Sequence, residues 1–498
     1  MERLTGGIGT GGRRRAWRGF GWVAALCGLS GCLGVPDEGR MREIRVAAAE
    51  RRMEELAARA TTERSVYLAG PLLLSEAVAL ALEYNRGLRQ EMLEQEVARG
   101  RIEESYGEAL PTLGLTGSYA RRDEELGTVS SGGEYRLTRP RDQTAANLRL
   151  TQPLYNGRIG AALRAARLYA AQSRASLRAA EEGAIHETIR AYYGAVLSEH
   201  LLEVNRAALE TAEAQLADAR ARREQGVVSP YDVLRAEVEV SNFRAQELQA
   251  RNDRDVAYTG LYRLVGASPE SDSELVDELP MVVEEIAFGE ALREALENRA
   301  DLLEAEYAAR LRREGVAAAR GRYFPEISAY AAQTWSNPDP HESSRTEWGD
   351  EWQAGLQASW AIFDGLARSG ALAQERARLR QAEIALEDAE ERAVSEVRQA
   401  VLSLKTAEEF ARSQSRNLET AREALRLVQA GLKEGQNTPV EVMDARQALT
   451  RASANHYQSV FAHAMARVGL QRAMGRLEAG ALPENPVLGG GGTGGEEK

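Results

Sequence analysis

Few side chains in this sequence have the types and spacing that chemistry requires. Histidines occur at 186, 200, 341, 456 and 463. His456 and His463 could share a helix face, but two metal ligands on one helix usually stand three or four residues apart, not seven. No cysteine lies nearby to complete a tetrahedral site, so no metal is expected there. No Gly-rich loop follows a strand as a phosphate cradle would require, and GGGGTGG near the C-terminus reads as a flexible tail. The cysteines are Cys27 and Cys32. Glu441 and Asp444, in VEVMDA, are three apart and share a helix face. They can fix negative charge at one place, or they can belong to an ordinary solvated face. The chemistry on offer is electrostatic, with no catalytic residue and no cofactor expected. What matters is the set of elements that positions the charges.

The N-terminus gives Cys32 a context. Arg13, Arg14, Arg15 and Arg18 precede the short apolar stretch FGWVAALCGLSG at 20–31, which is the layout of a secretory signal. Leu29-Ser30-Gly31-Cys32 resembles the lipobox of bacterial lipoproteins, in which the cysteine becomes the lipid-bearing first residue. Ordinary secretion with cleavage elsewhere is the alternative. Leu33, rather than Asp, follows the cysteine, which in lipoproteins favours outer-membrane sorting. Cys27 would leave with the signal, so the mature chain has no disulfide and no free thiol. A net charge of -12 argues against nucleic-acid binding. Beyond residue 40 no apolar run approaches the eighteen residues of a membrane-spanning helix. Charged residues make up 28% and aromatics 6%, with Ala, Arg, Glu and Leu dominant, which suits long helices.

The chain is written twice. ALPTLGLTGSYA (109–120) matches YFPEISAYAAQT (323–334), and Pro111 and Pro325 are 214 apart. PLYNG (153–157) matches AIFDG (361–365), with Gly157 and Gly365 208 apart. EQGVVSPYDVLRAEV (224–238) matches KEGQNTPVEVMDARQAL (433–449); Gly226 and Gly435, like Pro230 and Pro439, are 209 apart. Landmarks in one order at nearly one offset imply a duplicated unit of about 210 residues. Each unit reads as a short helix (73–86 or 287–299), a second helix ended by proline, two strands, and a long helical hairpin.

The expected strands are 112–122 and 144–155, then 326–336 and 351–363. In the last, Trp352, Ala354, Leu356, Ala358, Trp360 and Ile362 share one face, and Gln353, Gly355, Gln357, Ser359 and Ala361 the other. Strict alternation over ten to thirteen residues fits a strand of a membrane barrel, apolar to lipid and polar to the lumen. A half-buried strand of a soluble sheet would look similar. The segments 121–144 and 336–351 read as long polar loops facing outside. Four strands cannot close a barrel, and lipid tolerates no open edge, so closure must come from oligomerisation. Pro153, Gly157 and Gly365 mark the places where a strand passes into a helix.

Residues 158–226 and 366–434 are proline-free, roughly 100 Å of helix each. Each reverses at a Gly…Pro turn. Gly226, Val227, Ser229 and Pro230 form the first, and Gly435, Gln436, Thr438 and Pro439 the second, with glycine after the helix end, Ser or Thr at the N-cap and proline at the first position. The domain expectation is therefore signal 1–31, anchored segment 32–70, first repeat 71–280 with hairpin 158–266, second repeat 281–477 with hairpin 366–476, and a tail 478–498.

From about 70 to 477 these motifs resemble the TolC-like outer-membrane efflux family, in particular its lipid-anchored branch. The resemblance implies a mainly α fold with a membrane β-barrel. In it a homotrimer forms a twelve-stranded barrel, four strands per chain, continuous with a periplasmic helical barrel. It also implies a passive export conduit, working with a periplasmic adaptor and an inner-membrane pump at the helical tips. In that family acidic rings close the periplasmic end, and the matching positions here are Glu441 and Asp444. Asp232 matches a residue that tethers neighbouring coils. The family's Tyr and Arg partners are replaced by Leu432 and Asn437, so either Arg446 or Lys433 substitutes or the channel is latched more loosely. An adaptor lipoprotein would carry a single hairpin, and a purely structural coiled-coil lipoprotein would have no use for Trp352 and Trp360.

Overall fold

The computed structural model describes residues 67–129, 131–133, 135–283, 285–341 and 347–477, with positions 41, 42, 49 and 53. Cys32, the 1–31 signal, almost all of the 32–70 segment and the 478–498 tail lie outside the described residues. The chain divides after Ser65 into two units. In the first, those four positions are helical and exposed.

The second unit runs β1 (Ala69–Leu72), α1 (Leu74–Tyr84), α2 (Arg86–Gly107), β2 (Thr112–Arg121), β3 (Leu126–Val129), β4 (Tyr135–Arg139), β5 (Asp142–Tyr155), α3 (Ile159–Glu224) and α4 (Pro230–Leu264). It continues with β6 (Asp272–Leu275), α5 (Phe288–Asn298), α6 (Ala300–Gly321), β7 (Glu326–Asn337), β8 (Gly349–Ser359), α7 (Ala367–Lys433) and α8 (Pro439–Ala473). Helix lengths recur in pairs: 11 residues for α1 and α5, 22 for α2 and α6, 66 and 67 for α3 and α7, 35 for α4 and α8. The return helices α4 and α8 each end before a glycine with positive φ, Gly266 and Gly475. A Cβ on Gly266 would strike the Tyr84 side chain, and one on Gly475 would come within 2.8 Å of Arg299 N, so both ends are sealed against a short helix.

Long hairpins with Ala-rich seams bury little apolar surface per turn. The main core lies where the short elements cross them. There Leu72, Leu74, Ala77 and Val78 pack against Ile185, Ile189 and Tyr192 of α3, Leu261 of α4 and Val468 of α8. Tyr192 is fully buried. Its hydroxyl donates to Leu72 O at 2.8 Å and accepts from Asp277 N–H at 3.2 Å. Asp277 in turn accepts from Leu74 N–H at 2.6 Å. A second cluster unites Ala291 and Ala295 of α5 with Val397 and Leu404 of α7 and Leu470 of α8.

The principal sheet is antiparallel, in the order β2-β5-β7-β8. Its ends correct the expected strands. The strand expected over 351–363 begins at Gly349 and stops at Ser359, because Ser359 pairs with Glu326 and Pro325 has no N–H to extend the ladder. Trp360 instead donates its indole N–H to Tyr323 O at 3.1 Å. The segment expected as one polar loop, 121–144, contains the hairpin β3–β4 and the first residues of β5. β1 pairs in parallel with β6 and starts at Ala69, inside the segment expected to be anchor. Four-residue strands carry too short a pattern to be read locally.

Candidate functional site: a two-faced sheet and the helical tips

Register assigns every side chain of the sheet to a face. Leu113↔Leu150, Leu115↔Leu148, Leu150↔Ala331 and Ala331↔Ala354 are directly opposed, so Leu113, Leu115, Leu148, Leu150, Ala331 and Leu356 lie together on one side. Trp352 is 77% exposed and Leu356 73% in a single chain, values that call for an apolar surrounding. The opposite face holds Thr116, Asn147, Thr151, Ser328, Thr334, Gln353 and Gln357. Asn147 Nδ2 donates to Thr334 Oγ1 at 2.7 Å across it.

The two strand-to-helix junctions are built differently. Pro153 sits at a bulge, where β5 shifts register against β7. Asn156 closes the turn before α3, its Oδ1 accepting from Arg158 N–H at 2.9 Å, while Arg158 pairs with Glu326 at 2.8 Å. Gly157 has no positive φ. Its role is close approach, since a Cβ there would lie 2.7 Å from the carbonyl oxygen of Gly321. Gly365 instead has φ +65°, followed by Leu366 at +71°. Asp364 accepts from Arg368 N–H at 3.0 Å and holds its guanidinium in an ion pair at 2.9 Å.

At the tips, Gly226 (φ +76°) and Gly435 (φ +75°) end the outgoing helices in the left-handed conformation. Val227 N–H returns to Arg222 O at 2.9 Å, and Gln436 N–H to Gly431 O at 2.8 Å. Ser229 and Thr438 cap the return helices, with Pro230 and Pro439 at the first position. Asp232 and Glu441 complete those caps. Ser229 Oγ donates to the Asp232 carboxylate at 2.7 Å, and Thr438 N–H donates to Glu441 at 2.7 Å, joined by Asn437 Nδ2 at 3.2 Å. These bonds hold both carboxyls below their usual range, for Asp232 chiefly through the Ser229 hydroxyl and for Glu441 chiefly through the Thr438 amide. The spacings Ser229–Asp232 and Thr438–Glu441 carry the capping-box signature, a signal the sequence reading did not use for these carboxylates. Asn437 packs against Gly431, where a Cβ would overlap its side chain.

Asp444 is exposed one turn beyond the cap. Val227 and Tyr231 are exposed apolar groups at the first tip. Lys433 is exposed, whereas Arg446 turns into a crevice between the hairpins lined by Glu239, Phe243, Leu425 and Leu449. Burial lowers the Arg446 pKa, and its Nε and Nη1 have no hydrogen-bond acceptor. The histidines are scattered. His463 is fully buried, and His200 stacks on Tyr457 with centroids 4.3 Å apart. Among the described residues no three His, Cys, Asp or Glu groups converge as metal ligands.

Comparison with known proteins agrees with this layout. A family model described as outer membrane efflux protein matches residues 77–267 and 291–476. The chain is 24% identical over 425 residues to the outer membrane protein TolC of Escherichia coli, spanning 82% of this chain and 85% of that protein. It is 25% identical over 381 residues to the outer membrane protein OprJ of Pseudomonas aeruginosa, spanning 75% and 78%. Among solved structures, a membrane protein from Pseudomonas aeruginosa superposes with a TM-score of 0.71 at 24% identity, over 81% of this chain and 93% of that one. The Campylobacter jejuni CmeC outer membrane channel gives 0.70 at 16% identity, over 81% and 85%. At these identities the structural likeness carries the fold.

Proposed function

Because the chain belongs to the outer membrane efflux protein family, whose members are outer-membrane transport channels and not enzymes, we propose that three copies close a twelve-stranded barrel continuous with a barrel of long helical hairpins. The observation that carries this reading is the sheet, with one mainly apolar face, interrupted by Gln333 between Leu148 and Trp352, one polar face and two edges, β2 and β8, unpaired among the described residues. In lipid each unpaired backbone group costs several kcal/mol. Pairing β8 of one copy with β2 of the next covers both edges at once. The repeats 71–280 and 281–477 each supply one strand pair and one helical hairpin. Cys32 carries the lipid once the signal 1–31 is removed, anchoring 32–70.

In this reading the channel is the exit duct of a tripartite efflux system, and its helical tips dock a periplasmic adaptor that couples it to an inner-membrane pump. The first tip presents Val227 and Tyr231 for that contact, beside the second turn Gly435–Pro439. Three copies of Asp444 and Glu441 around the axis form a negative constriction that draws cations and opens for larger cargo. Glu441 is held in its cap, so Asp444 is the carboxylate free to move, and Asp232 braces the neighbouring turn.

The test is single-channel conductance in a planar bilayer, for wild type, Asp444→Ala and Glu441→Ala/Asp444→Ala. Asp444→Ala removes charge without touching the cap. Small cation-selective openings that widen and lose selectivity in the variants are expected. Wide openings unchanged by either substitution would move the gate elsewhere, and no conductance from folded protein would remove the channel reading.

A further inference from the structure

The polar face of the sheet carries one fixed positive charge in the middle of its span. Arg149 lies on β5, its backbone paired with Gly114 on one side and Ala332 on the other. Both neighbours are small, so neither competes with the Arg149 guanidinium. It rests over the Tyr330 ring, 4.5 Å from the centroid. Tyr330 is seated in its turn by Gly355, where a Cβ would come within 3.2 Å of the phenolic oxygen. A cation over an aromatic face keeps its charge and leaves its N–H donors pointing sideways, available to a passing acceptor.

No carboxylate pairs with Arg149 among the described residues. On this face the acidic groups stand at the two ends of the span. Glu326 is already joined to Arg158 at 2.8 Å beside the helices, and Glu351 lies opposite Thr334 towards the outer loops. The rest of the face is Thr, Ser, Asn, Gln and small residues. Arg149 is thus the positive charge in the middle of this face, with carboxylates only towards its ends.

We propose that Arg149 is a selectivity-determining residue, three copies of which form a ring of positive charge in the barrel that admits and briefly holds anionic groups, such as the carboxylate, sulfate or phosphate of a small permeant molecule. This rests on the trimeric channel reading, since without a lumen Arg149 governs nothing. The barrel then acts as an anion-favouring filter in series with an acidic gate, and cargo bearing both charges, or an anion escorted by a cation, passes both. The field of Arg149 reaches about 8 Å at physiological ionic strength and further in dilute salt, so the selectivity it confers strengthens as salt falls.

The experiment is the chloride-to-potassium permeability ratio, from reversal potentials across a tenfold KCl gradient, in the Asp444→Ala background so that the tips contribute less. Arg149→Gln should lower the ratio at least about twofold and Arg149→Glu about fivefold or more, whereas Arg149→Lys should keep it. Gly114→Glu sets a carboxylate opposite Arg149 at an exposed position with nothing within 4 Å of the new Cβ; it should act in the same direction as Arg149→Gln and covers the case that loss of the guanidinium spoils folding. Conducting channels whose ratio is the same in all these variants would overturn the proposal while leaving the channel intact. Folded protein that conducts in no variant would remove the channel itself, and the filter with it.

Discussion

Gly321→Ala tests whether the strand-to-helix junction depends on two backbones touching. Gly321 is the buried last residue of α6, and a Cβ there would fall inside contact distance of the Gly157 carbonyl and 2.9 Å from Arg158 N. All of the obstructing atoms belong to the backbone of the β5–α3 junction, so no side chain can swing away. Overpacking of this kind costs about 1–3 kcal/mol, and because Asn156 and Arg158 fix the same junction to Glu326, we place Gly321→Ala near 2 kcal/mol destabilising. Gly100→Ala, at an exposed position of α2 with nothing within 4 Å of the new Cβ, should stabilise by about 0.5–1 kcal/mol through helix propensity alone. Two helical glycines thus receive opposite signs from geometry. Thermal unfolding in detergent, followed by helical circular dichroism, reads the difference, with Gly321→Ala lowering the midpoint by a few degrees. A Gly321→Ala midpoint equal to or above wild type would refute the reasoning, because helix propensity would then outweigh the backbone contact.

Two further outcomes follow from hydrogen bonds. Tyr192→Phe deletes a buried hydroxyl that donates to Leu72 O and accepts from Asp277 N–H and should cost about 0.5–1.5 kcal/mol, seen as a lower denaturant midpoint; an unchanged midpoint would mean the core does not rely on that hydroxyl. Glu441 has its carboxyl pKa depressed in the folded tip, first by the Thr438 amide. Its stabilisation is therefore fully present above the unfolded value of about 4.3 and is lost as pH falls through the lower folded value. Hydrogen exchange at the second tip should accelerate in acid below about pH 4 in wild type, and that acid step should be absent in Glu441→Gln.

What the sequence determined was whatever a short window can hold. Alternation of Trp352, Ala354 and Leu356 with Gln353, Gly355 and Gln357 fixed that strand and its apolar side. The Gly226…Pro230 and Gly435…Pro439 pairs fixed the turns, because a left-handed residue and a first-turn proline are local backbone demands. Repetition at one offset fixed the duplicated plan and, with it, the family resemblance. Tertiary structure decided what needs a distant partner. The β8 end at Ser359 depends on Pro325 across the ladder, and β1 exists only because Asp272–Leu275 comes alongside. Gly157 reads as a turn glycine until Gly321 is found against it. Glu441 reads as a free gate carboxylate until Thr438 and Asn437 are seen to claim it. Arg149 is one arginine among many until register sets it alone on a polar face over Tyr330. Periodicity is written in neighbouring residues, whereas register and contact depend on chain segments that meet only when folding has brought them together.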